Sequence, residues 1–92
     1  MPNLKLRKGS KESYVFGLLV SKVDPKTNVS VLNPVSREER HKINGGAAVL
    51  KQMNVISTIG LDSYMINPSY WFEGDQINQL KTKWLEITNK NY

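Results

Sequence analysis

The chain has 92 residues, with 13 lysines and arginines against 8 aspartates and glutamates, a formal charge of +5. At 39% hydrophobic and 23% charged residues it has the composition of one small globular domain, which excludes collagen-like, coiled-coil and strongly disordered chains. It contains no cysteine, which excludes a disulfide framework, a thiolate metal site and a cysteine nucleophile.

The charge is unevenly spread. Lys5, Arg7, Lys8 and Lys11 against Glu12 give residues 1–12 a net of +3, leaving +2 for residues 13–92. The reading is a flexible basic arm over 1–12 and a single α+β domain over 13–92. A positive balance selects acidic partners such as nucleic acid. No stretch approaches the roughly 20 apolar residues that cross a membrane. The apolar run Tyr14–Val20 follows basic residues, but no small-residue cleavage site comes after it, so it reads as a strand and not as a signal. A cytoplasmic location is the corresponding expectation.

In chain order, Tyr14–Val20 is nearly all apolar and rich in β-branched and aromatic side chains, which predicts a central strand extended through Val23. Asp24-Pro25-Lys26-Thr27 is a turn, with Asp at its first position and Pro at its second. Asn28–Leu32 alternates and returns as the second strand of a hairpin. Ser36 followed by Glu39 matches a capping box, so residues 36–42 read as a short helix or a charged loop, ended by Asn44-Gly45-Gly46. Ala47–Met53 reads as two further helical turns.

Val55–Gly60 is a third strand, Leu61-Asp62-Ser63 a tight connection, and Tyr64–Ile66 a fourth strand. Ile77, Leu80, Trp84 and Ile87 form one stripe at helical spacing within a C-terminal helix from Asp75 to about Thr88. Leu32-Asn33-Pro34 and Ile66-Asn67-Pro68 both close a hairpin, a faint internal repeat. The fold class is therefore α+β: a small antiparallel sheet of about four strands in two hairpins, a short middle helix and a C-terminal amphipathic helix, roughly ββαββα. Two helices would leave one sheet face open, which a homodimer would cover.

Catalytic material is sparse. The one histidine, His41, sits in the charge run Arg37–Lys42, with Glu38 one turn before it and Ser36 nearby. General-base chemistry needs an oriented imidazole beside a nucleophile. Flanking Arg37, Arg40 and Lys42 favour a solvated surface histidine instead. Asp24, Asp62 and Asp75 stand apart at turn and cap positions, so no metal site and no cofactor are expected. Gly45-Gly46 lacks the phosphate-loop pattern.

Nucleic-acid binding has the best raw material. Lys5, Arg7, Lys8 and Lys11 in the arm and Arg37, Arg40 and Lys42 in the middle can meet phosphates, and Tyr70 and Trp71 can stack on unpaired bases. Tyr14, Tyr64 and Phe72 are further candidate stackers. The segment Tyr64-Met65-Ile66-Asn67-Pro68-Ser69-Tyr70-Trp71 resembles the last-strand-to-helix junction of the coactivator-type single-stranded DNA-binding modules. The resemblance covers eight residues, and residues 34–53 depart from that family's plan of four strands and a long helix. It implies dimerisation through the C-terminal helix.

Two functions compete on these residues. One is a non-catalytic nucleic-acid-binding accessory protein for single-stranded DNA or RNA. The other is a small interaction module or inhibitor, of the kind found in phages and mobile elements, that binds a partner protein through Tyr70-Trp71-Phe72, because aromatics dominate binding hot spots.

Overall fold

The structure, a computed structural model, describes Leu6 and residues 8–89. The order of elements is α1 (Lys11–Lys22), β1 (Val23–Asp24), β2 (Val29–Val31), α2 (Arg37–Gln52), β3 (Ile56–Gly60), β4 (Ser63–Ile66) and α3 (Ile77–Asn89). The fold is α+β, with three helices and a four-stranded antiparallel sheet in the order β1-β2-β4-β3. The two hairpins lie side by side, joined through β2 and β4.

The first segment corrects the sequence reading: Tyr14–Val20 lies inside a helix, not a strand. Ser10 caps α1 by accepting from the Ser13 backbone N–H at 3.2 Å, and Glu12 sits in the first turn, where the helix dipole favours an acid. Val15 and Leu19, four residues apart, are completely buried. Phe16, Leu18 and Val20 also pack on the core, so burial on several sides blurs the helical period into a continuous apolar run. Lys11 thus opens a helix, and Leu6 packs against the core.

The expected turn forms: the Asp24 carbonyl accepts from Asn28 N–H at 2.7 Å, and the Asp24 carboxylate accepts from Lys26 N–H at 3.0 Å. Strand β1 has only two residues because the chain enters it directly from α1.

Residues 36–52 give a second correction. Ser36 caps the helix as its sequence suggests, accepting from Glu39 N–H at 3.1 Å. Asn44-Gly45-Gly46 does not end it; α2 runs unbroken for 16 residues. The glycines serve the neighbouring helix instead. A Cβ on Gly46 would lie 2.5 Å from the Lys11 carbonyl oxygen and 2.5 Å from Val15 Cγ2. Absence of that carbon lets the two helices cross closely, with Lys11 against Gly45-Gly46 and Tyr14 against Lys42.

Side-chain alternation along β4 assigns the two sheet faces. Tyr64 and Ile66 join Val15, Leu19, Ile43 and Leu50 in the core beneath α1 and α2. Met65 points the other way and packs with Leu80 and Trp84 of α3. The stripe Leu80, Trp84, Ile87 faces the sheet as its spacing predicts. The expectation of an open second face is corrected in part: α1 joins α2 on the first face, and α3 covers the second around Val29 and Met65. The two Asn-Pro exits also diverge, since α2 and α3 follow them onto opposite faces.

Two asparagines hold this arrangement. Asn28, fully buried at φ 58°, donates through Nδ2 to the Ile66 and Trp71 carbonyls at 3.0 and 2.8 Å. Asn67 donates through Nδ2 to the Asn54 carbonyl at 2.7 Å and accepts from Ser69 N–H at 3.0 Å. Together they carry the chain from β4 across the sheet end toward α3. Among the described residues no helix is long and apolar enough to cross a membrane.

Candidate functional site

Basic residues far apart in sequence meet on the outer face of the α1–α2 layer. Lys8 is exposed just before α1, after which Gly9 turns the chain at φ 81°. Lys11 is exposed, and its side chain lies along Gly45, where a Cβ would be 3.3 Å from Lys11 Cδ. One turn earlier on α2, Lys42 places its Nζ 4.0 Å from the centroid of the Tyr14 ring. Tyr14 remains 40% exposed beneath it. A cation held over an aromatic face at such a site contributes about 0.5–1 kcal/mol.

The surface continues along α2. Arg37, Glu38, His41 and Lys42 border a shallow depression of about 470 Å³. Helical spacing explains the grouping, since residues three and four apart share a face. Lys11, Arg37 and Lys42 thus lie along one basic surface, interrupted by Glu38, with Tyr14 under Lys42; Lys8 is exposed in the turn that leads into α1.

Arg40 points elsewhere. It reaches the β3–β4 turn and pairs with Asp62, Nη1 to Oδ1 at 3.1 Å and Nη2 to Oδ2 at 3.3 Å. Asp62 holds the left-handed turn position at φ 56°. The charge of Arg40 is thereby matched within the fold. Lys5 and Arg7 lie outside the described residues.

The aromatic run divides. Tyr70 and Trp71 pack against the core under α1 and α2, whereas Phe72 packs with the cluster under α3. All three are half-buried. The Tyr70 N–H donates to the Asn67 carbonyl at 2.9 Å, and the Trp71 carbonyl accepts from Asn28. These rings tie the β4–α3 connection to both cores and do not form one exposed patch.

Ser36 Oγ caps α2 and is engaged with a backbone N–H. Among the described residues no group of three or more histidines or acids is placed to hold a metal ion. Burial, and next the Asp62 carboxylate, hold the Tyr64 phenol above the ordinary tyrosine range, with Arg40 acting in the opposite sense.

Sequence reasoning missed the pairing of Tyr14 with Lys42, because it placed Tyr14 in a strand. The local signal that pointed to α1 was Ser10 followed by Glu12, a cap and a first-turn acid. The chain matches no protein-family model, no curated protein and no solved structure with which it was compared.

Proposed function

We propose that this chain is a non-catalytic nucleic-acid-binding protein whose contact surface is the outer face of α1 and α2. The observation that carries the reading is Lys42 held over exposed Tyr14, with Lys11 one turn before Tyr14 on α1 and lying along Gly45 of α2. Lysines supply phosphate contacts without reading sequence. The exposed part of the tyrosine ring supplies a surface on which an unpaired base can stack, at about 1–3 kcal/mol per base. Single-stranded DNA or RNA is the preferred ligand class, because none of the three helices carries the dense basic set of a major-groove reading helix: the bases of α2 are interrupted by Glu38 and Glu39, and Arg40 is paired with Asp62. In α3 the bases between Ile77 and Asn89 are Lys81 and Lys83 alone.

The test is fluorescence polarisation of labelled single- and double-stranded oligonucleotides, from about 50 to 300 mM salt. The expected result is tighter binding of single strands with a steep salt slope. Lys11→Glu with Lys42→Glu should weaken binding and lower the slope by at least about 1.4. Absence of binding at the lowest salt would reject the reading.

A further inference from the structure

The second face of the sheet is only partly covered by α3. Val29 and Met65 lie under the helix, but Val31 is 47% and Ile59 44% exposed. Two depressions follow one side of α3 over this uncovered part. The first, about 460 Å³, lies between the β1–β2 turn and the helix, with Val29 and Leu80 as apolar wall and Lys26 and Lys83 among its lining. The second, about 350 Å³, lies between β3 and the helix, with Ile59, Ile87 and again Lys83. Lys83 borders both, so the two adjoin end to end along α3 and are taken together as a groove.

Spacing and charge narrow the occupant. Leu80 and Ile87 are seven residues apart, two helical turns or about 10.5 Å. Lys83 stands between them and Lys26 at one end. Among the described residues no acid lines either depression. Among the described residues no aromatic ring lines them either, which leaves stacked bases no platform there. A second copy brings the wrong charge, since each of the three helices is net positive.

We propose that this groove docks an acidic amphipathic helix of a partner protein. Two apolar side chains seven residues apart enter the two depressions, an acidic side chain between them meets Lys83, and another meets Lys26. This is helix-in-groove recognition, with apolar anchors for affinity and rim charge for specificity. The groove lies on the opposite side of the sheet from the α1–α2 surface, so the proposal stands independently of the nucleic-acid reading.

The test uses the full chain and a fluorescein-labelled helical peptide of about 15 residues, with two leucines seven apart and glutamates around them. A sister peptide carries lysine in place of every glutamate. The glutamate peptide should bind at about 100 µM or tighter, and the lysine peptide should not. Amide shifts on binding should centre on Val29, Ile59 and Ile87. In the Lys26→Glu, Lys83→Glu variant the glutamate peptide should weaken about tenfold or more and the lysine peptide should gain. Both substituted positions are exposed, and an unchanged circular dichroism melt verifies folding. Equal binding of the two peptides, no binding by about 1 mM, or shifts centred elsewhere overturns the proposal. Shifts of Val29 and Ile59 on adding a single-stranded oligonucleotide instead would also overturn it.

Discussion

Gly46 of α2 faces the carbonyl oxygen of Lys11 so closely that a Cβ there would stand 2.5 Å away. The obstacle is backbone, which cannot swing aside as a side-chain tip can. Gly46→Ala should therefore push α1 from α2 and cost about 1–3 kcal/mol, outweighing the roughly 1 kcal/mol gain in helix propensity. At Gly45 the nearest atom is Lys11 Cδ at 3.3 Å, a flexible side chain. At Gly17 there is nothing within 4 Å. Gly17→Ala should stabilise by about 0.5–1 kcal/mol, with Gly45→Ala between the two. Chemical denaturation of the three variants gives the order; equal effects at positions 17 and 46 would refute the close crossing.

Asn28 joins a backbone requirement to a hydrogen-bond requirement at one position. Its φ of 58° tolerates glycine, but its Nδ2 satisfies two carbonyls from another part of the chain. Asn28→Gly keeps the conformation and loses both bonds, at about 1–3 kcal/mol. Asn28→Ala adds about 1–2 kcal/mol for the left-handed backbone. If the alanine variant is no less stable than the glycine variant, strain at this turn is not part of the cost.

What the sequence revealed and what it hid follow one physical division. The Asp24-Pro25 turn, the Ser36 cap and the Leu80–Trp84–Ile87 stripe are local or periodic, and all appear where their residues place them. Helix α1 was hidden because its neighbours decide its surface: with the sheet on one side and α2 on another, its apolar residues lose their clean period. Gly45-Gly46 looked like a stop signal because glycine is rare inside helices, yet its reason lies in Lys11, remote in sequence. The candidate site suffered in the same way. Lys11 and Lys42 were legible as bases, but only the crossing of two helices sets Lys42 over Tyr14 and Lys11 along Gly45.

Tyr64 makes stability depend on alkaline pH. Its phenol is held above the ordinary tyrosine value of 10.0 by burial and by Asp62. The folded state therefore keeps its proton where the unfolded state has begun to lose it. The associated stability is fully present below about pH 10 and declines as pH rises toward the folded value. Tyr64→Phe should flatten this decline, measured as denaturation midpoints from about pH 9 to 11. An unchanged slope would assign the loss to other groups.

Arg40 and Lys42 lie two residues apart on α2, yet they should behave oppositely toward nucleic acid. Arg40 is turned to Asp62 through two hydrogen bonds, whereas Lys42 stands over Tyr14 beside Lys11. Lys42→Ala should weaken oligonucleotide binding and reduce the salt slope by about 0.7, the share of one phosphate contact on a single strand. Arg40→Ala should leave both nearly unchanged and lower stability by no more than about 1 kcal/mol, because the pair is solvent-exposed. Polarisation titrations at several salt concentrations separate the two. Should Arg40→Ala weaken binding as much as Lys42→Ala, the contact surface extends over the β3–β4 turn, and the α1–α2 face alone is not the site.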